Sequence, residues 1–312
     1  MCVQAAAAWA ESLGTHMPPT TRPFVGLSLM PEDDFRRASF PLFEAGEVEI
    51  LEWSFDMGWG PSGVPVWTRA LIEYFSVAER LIGHGVTFSA LSAEWTPRQE
   101  RWLEYFQHEI QSRNYLHLSE HFGFCAAGSF HQSAPLPVPL TETTLRVGRD
   151  RLQKLNDLVS VPVGLENLAF AFGLRDVQQQ GEFLDQLLEP TNGFVLLDLH
   201  NIYCQMCNFD LTEEAILESY PLHRVRELHV SGGSWSESQI ENISPVRRDT
   251  HDEAVPENLW PLLKLALQKC PDVKAVIFER LGNTIRHETD AQQFRADFRQ
   301  LRDIVSSHEF NS

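Results

Sequence analysis

Short runs of β-branched and aromatic residues alternate with longer amphipathic runs along most of the chain. This rhythm limits the fold more than any other feature. The short runs are Phe24–Leu29, Val48–Trp53, Val86–Leu91, Leu116–Ser119, Val161–Leu165, Phe194–Leu197, Val225–Val230 and Ala275–Phe278. The runs between them carry helix signals. Val66–Ile82 has apolar residues at helical spacing and stops at Gly83. Arg98–Ser112 follows Thr96-Pro97, an N-cap before a proline. Thr141–Val159 opens Thr-Glu-Thr-Thr, and Leu211–Tyr220 places Thr212 before Glu213 and Glu214, acids suited to a helix start. Val255–Lys269 and Glu288–Val305 complete the set. Strands separated by helices build a parallel sheet covered on its faces. Eight such units predict a single-domain α/β fold, a (β/α)8 TIM barrel; a doubly wound sheet is the alternative with the same rhythm.

The 312 residues match one barrel of this kind, and a hydrophobic content of 43% with 20 Phe and 8 Trp supplies its core. Residues 1–22 are Ala-rich, lack a basic start and are interrupted by Glu11. They read as a flexible leader ahead of a catalytic barrel at 23–312, not as a secretory signal. No apolar run reaches the roughly 18 residues of a membrane span. Acids number 43 and bases 25, a net charge of −18, which excludes a duplex nucleic-acid binder and an anionic membrane surface as partners. The cysteines Cys2, Cys125, Cys204, Cys207 and Cys270 are an odd, sparse set, which points to reduced thiols and a cytoplasmic setting.

In parallel barrels the chemistry sits at the C-terminal ends of the strands. Those ends carry Ser119-Glu120-His121, Glu166-Asn167, Asp198-Leu-His200-Asn201, His229 and Glu279-Arg280, with Asp249-Thr-His251-Asp252 beyond the seventh run. His84 precedes the third run instead of ending it. Imidazole and carboxylate suit iron, manganese and zinc. The set is too large for one ion. His84, Glu166, Asp198, His229 and Glu279, with the Asp249/His251 pair, could hold two or three metals with bridging carboxylates. Asp249 and His251 are two apart, so on an extended segment both face one cavity.

Taken singly, each such residue is more often a cap or a hydrogen-bonded core group; the case rests on their concentration. Glu120 reads as part of a solvated pair with His121. His117 reads as packed, and His16, His108, His131, His223, His287 and His308 as exposed. Cys204-Gln-Met-Cys207 has redox or zinc spacing but no second such motif, which favours a structural role. The stretch Trp53-Ser-Phe-Asp-Met-Gly-Trp59 suits an active-site wall or plain core cover equally. No phosphate-cradling glycine loop and no GxSxG elbow occurs in the sequence.

The ordered segments HGVTFS (84–89), LSEHFGF (118–124), GLENLAF (164–170), LLDLHNIY (196–203), VRELHVSG (225–232), RDTHDEAVPENLWPLL (248–263) and VIFERLGN (276–283) resemble the multinuclear non-heme iron-dependent oxidative enzymes (MNIO, formerly DUF692). The resemblance implies a TIM barrel with two or three iron ions at its mouth. His84 and Glu166 would belong to one iron, with Glu166 bridging. Asp198, His229 and Glu279 would serve the next. Asn201, Asp249 and His251 would serve the neighbouring or third site. His121 would be a residue behind the ligands or facing substrate, acting with Glu166 and Asp198 in catalysis. Three positions depart from the family pattern. Leu51 or a neighbour replaces a strand-two His, with Glu52 or Asp56 as substitutes. Gly233 replaces a His after strand seven, and His200 replaces an Asn after strand six.

The implied activity is dioxygen-dependent oxidation of a ribosomally made precursor peptide, at cysteine, with a small leader-binding protein as partner. Two other readings use the same residues. One is a divalent-metal isomerase or hydrolase resembling the sugar-isomerase barrels. The other is a barrel that binds a peptide without catalysis.

Overall fold

The computed structural model describes residues 22–60, 63–236 and 244–308, with backbone alone at 131–133. The expected leader, Arg22 apart, lies outside the described residues.

Eight parallel strands close into a barrel. They are β1 (Phe24–Leu29), β2 (Ile50–Trp53), β3 (Leu81–Gly85), β4 (Leu118–His121), β7 (Val163–Glu166), β8 (Phe194–Asp198), β9 (Val225–Val230) and β10 (Ala275–Phe278). Around the barrel they run β1-β10-β9-β8-β7-β4-β3-β2, with β2 pairing back onto β1. The TIM barrel expected from the rhythm is therefore the fold. Its inner floor is Ile50, Ile82, Ala275 and Ile277, packed with Phe24 and Leu116. The larger core lies between sheet and helices.

The covering helices are α1 (Asp33–Glu44), α2 (Val66–Val77), α3 (Pro97–Ser112), α4 (Glu142–Asn156), α5 (Leu174–Leu188), α6 (Leu199–Phe209), α7 (Glu213–Leu217), α8 (Leu259–Lys269) and α9 (Glu288–Ser307). Their starts follow local chemistry. Thr96 caps α3 with a reciprocal capping box through Gln99, and Thr141 caps α4 by accepting from Thr144 N. Asp198 ends β8 and also caps α6, accepting from Asn201 N at 2.6 Å.

Two expectations need correction. The third strand is Leu81–Gly85, not Val86–Leu91, and the preceding helix stops at Val77 instead of running to Ile82. Glu79 turns left-handed at φ 56°, which breaks the helix two residues before the strand. Residues 86–87 cannot join a ladder, because their N–H groups donate to the Asp56 carboxylate. His84 consequently lies near the end of β3. The second correction is a hairpin of β5 (Phe124–Ala127) and β6 (Phe130–Leu136) inserted after β4. Its signal was the two-residue turn Gly128-Ser129, with Gly128 at φ 57°.

Candidate metal centre

The strand register brings the expected residues to one end of the barrel. His84 pairs with Ser119, His121 with Glu166, and Asp198 with His229. Glu279 follows β10 directly and donates its N–H to Val230 O at 3.0 Å. His251 sits on the long connection after β9 at φ 50°, pinned by Leu281 N donating to its carbonyl at 2.9 Å.

Four groups of ligand atoms result among the described residues; three form a run in which each shares a carboxylate with the next, and the fourth, Glu52, Glu227 and His229, lies beneath them. In the first, His84 Nε2 and His121 Nε2 lie 3.3 and 3.2 Å from Glu166 Oε2, and 3.2 Å from each other. The second joins Glu166, Asp198 and His229. The third joins Asp198, His251 and Glu279. His229 Nδ1 lies 3.2 Å from Glu279 Oε2 and 4.0 Å from Asp198 Oδ2. Asp249 Oδ1 adds a neighbour 2.6 Å from His251 Nε2. His121, expected behind the ligands or facing substrate, lies as close to Glu166 Oε2 as His84 does. Asn201 donates from Nδ2 to Glu166 Oε1 at 3.2 Å and Asn167 O at 2.9 Å.

These atoms are crowded without being bonded. Asp198 Oδ2, Asn201 Oδ1, His229 Nδ1, His251 Nε2 and His121 Nδ1 are buried with no hydrogen-bond partner. Buried polar atoms are ordinarily paired. A set of close, unpaired nitrogen and oxygen donors is what divalent transition metals take as ligands, so the residues fit such ions.

The electrostatics agree. Burial disfavours the charge on His84, but the Glu166 carboxylate outweighs it and raises the ring to about 9. Burial opposes His229 and His251 too, and both are driven well above the usual range, His229 chiefly by Glu52 and His251 by Asp249 and Glu279. Burial, then Asp249 and Glu166, push the Asp198 carboxyl well up. Burial lowers His121. Asp198 is left buried against two other carboxylates, Asp249 and Glu166, and a cation beside it would relieve that conflict.

Beneath the mouth, His229 Nε2 lies 2.9 Å from Glu52 Oε2 and 3.3 Å from Glu227 Oε1. Glu227 in turn meets His117 Nε2 at 2.8 Å. His117 is thus buried, as expected, but hydrogen-bonded. Glu227 was missed, although it stands two residues before His229 and so shares its face of the strand. Glu52 takes the inward strand-two position. Asp56 is instead a loop hub, accepting from Val86 N, Thr87 N and Oγ1, and Trp102 Nε1.

Other expectations resolve simply. Glu120 is buried at 2% exposure, not solvated, and accepts from Ser89 N. Trp53 and Trp59 belong to the core; Trp59 packs on Phe55, Trp102 and Tyr105. Cys204 and Cys207 are free thiols on α6, one buried and one exposed. His108, His223 and His287 are exposed, and His16 lies outside the described residues. The departures at 200 and 233 meet in space. A Cβ at Gly233 would stand 2.6 Å from His200 Cε1, so the His200 ring fills the room a side chain at 233 would need.

The profile of the RiPP precursor modification enzyme MbnB/TglH/ChrH matches residues 66–303. The chain belongs to this family. MbnB/TglH/ChrH proteins are modification enzymes by that description, and the matched span carries the ligand candidates from His84 to Glu279, but not Glu52 or Asp56. Similar curated relatives include a UPF0276 protein of Caulobacter vibrioides (strain NA1000 / CB15N), 27% identical over 265 residues, 83% of this chain and 88% of that one. UPF0276 proteins of Shewanella loihica and Acinetobacter baylyi are each 27% identical; the chain spans 63% and 66% of their lengths. Among solved structures, D-psicose 3-epimerase from Clostridium cellulolyticum H10 aligns at TM-score 0.53 and 13% identity, covering 90% of this chain and 99% of that one. A xylose isomerase domain containing protein from Salmonella typhimurium LT2 aligns at 0.54 and 17%, covering 92% and 99%. At these identities the likeness concerns the barrel alone.

Proposed function

We propose that this MbnB/TglH/ChrH family member binds two or three iron ions and uses dioxygen to oxidise a ribosomally made precursor peptide at a cysteine. The observation that carries the reading is the unbroken run of three ligand groups joined through Glu166 and Asp198. His84, His121 and Glu166 would hold one ion, and Glu166, Asp198 and His229 a second. Asp198, His251 and Glu279, with Asp249 beside them, would hold a third. Bound iron supplies electron transfer to dioxygen and a Lewis acid for a substrate thiolate.

The chain's own residues do the rest. Asn201 holds Glu166 in place through its amide nitrogen. Glu52 and Glu227 accept the His229 Nε2 proton, which leaves Nδ1 facing the mouth. Ser119 Oγ lies 2.8 Å from His84 Nδ1 and fixes that ring. Burial of Glu166, Asp198 and His229 keeps bulk water off the shared carboxylates. The precursor peptide and a small leader-binding protein would be partners, and a cytoplasmic setting follows from the sparse, free thiols. Among the described residues, no helix is long and apolar enough to cross a membrane.

The test is metal content of anaerobically purified protein, with Mössbauer spectroscopy on the same sample and oxygen uptake on adding a thiol peptide. Two or more coupled irons and uptake are expected. One or two zinc or manganese ions without iron would move the assignment to a divalent-metal isomerase or hydrolase. No metal at all would leave a peptide-binding barrel.

A further inference from the structure

Arg247 is a buried arginine, 5% exposed, beside the metal groups, and the centre described above does not use it. Its backbone is fixed to α6: Arg247 N donates to Asn208 Oδ1 at 2.8 Å, and Asn208 Nδ2 donates to Arg247 O at 2.9 Å. Its guanidinium lies 5.4 Å from the Tyr203 ring centre and 5.6 Å from that of Trp235. One terminal nitrogen donates to His200 Nε2 at 3.3 Å. Nε is buried with no partner, and no ion pair joins Arg247 to a carboxylate among the described residues.

Such a charge is costly to bury alone. Among the described residues, no carboxylate is placed against this guanidinium. Asp249 does not answer it directly. Arginine only donates, so His200 Nε2 must accept, and His200 donates from Nδ1 to Asp249 Oδ1 at 3.3 Å. The two rings hold a fork whose geometry matches a carboxylate. Trp235 and Val246 are exposed beside it and give the fork an apolar lip.

We propose that Arg247, clamped between Tyr203 and Trp235, binds a carboxylate of the substrate. The existence of this anion site stands by itself. Its assignment to a peptide, through the C-terminal carboxylate or an Asp or Glu side chain, rests on the function proposed above. The chain Arg247–His200–Asp249–His251 sets the anchor beside the third ligand group, so a residue next to the bound carboxylate would lie near that group.

The experiment follows tryptophan emission of the full-length protein during titration with acetate, N-acetylcysteine and N-acetylcysteinamide; Trp235→Phe assigns the signal. Saturable quenching by the two acids, absent with the amide, is expected. Arg247→Gln should weaken it roughly tenfold or more, with thermal melting and metal content unchanged. Arg247→Lys, which keeps the charge without the fork, should fall between. No saturable response in the wild type, or one undiminished in Arg247→Gln, overturns the proposal. Two cysteine peptides then separate the sources: one has its only carboxylate at the C-terminus, the other only in an Asp beside the cysteine. Equal binding of both and of a carboxylate-free peptide also overturns it. Arg247-dependent acetate binding without oxygen uptake on any thiol peptide would sustain the anchor and count against the oxidative function. Oxygen uptake indifferent to carboxylates would do the reverse.

Discussion

The Glu52 carboxylate on β2 meets His229 on β9 inside the barrel, Oε2 to Nε2, at 2.9 Å. Both side chains are 1% exposed or less. Ligating histidines are generally held by an acceptor on the second nitrogen, and loss of that acceptor costs about 10–100-fold in metal affinity. Glu52→Ala should therefore lower affinity by that order while the barrel still folds. Reloading the metal-free variant against a competing chelator checks this; unchanged affinity would remove Glu52 from the support of His229.

His121 and His84 are equivalent in distance to Glu166. His121→Ala should remove one metal per chain, and Glu166→Gln should deplete two, because Glu166 belongs to two ligand groups. Elemental analysis with Mössbauer spectroscopy separates the cases. Full metal content in His121→Ala would return that ring to a supporting role.

Asp56 accepts from Thr87 N at 2.7 Å, Thr87 Oγ1 at 2.6 Å and Trp102 Nε1 at 3.0 Å. It holds the loop after β3 and touches no ligand group. Asp56→Asn should leave metal content intact but set an amide nitrogen against donors, costing about 2–3 kcal/mol. The melting temperature should drop by roughly 5 °C or more. Lost metal in a folded variant would make Asp56 a ligand after all.

Burial raises the Asp297 carboxyl above its ordinary value, against the bonds it accepts from Gln293 Nε2 and Val255 N. The folded state then holds this proton more tightly than the unfolded chain. The resulting stability is complete below the unfolded pKa, about 3.9, and is lost as pH rises through the folded value. Asp297→Asn has no such loss. The difference in stability, variant minus wild type, should grow more favourable to the variant between about pH 4 and neutrality. Parallel denaturant curves across that range test it, and a constant difference would refute it.

Much of this was legible beforehand. The eight-unit rhythm identified the barrel, and seven of its strands lie where the β-branched runs stand. The third was misplaced because Leu81 and Ile82 continue the helical spacing of Val66–Val77; only the Glu79 turn and the Asp56 bonds reassign them. The hairpin after β4 was hidden because its strands are short and its pairing is mutual, outside the barrel ladder.

The sequence by itself determined which residue types stand at the strand ends, since the period of a strand and the direction of a parallel barrel are local rules. Tertiary structure alone decided which of them meet. Glu52 and His229 are 177 positions apart, and Arg247 is buried by rings from two other segments. Such pairings depend on barrel register and closure, which place distant strands side by side and leave no trace in local spacing.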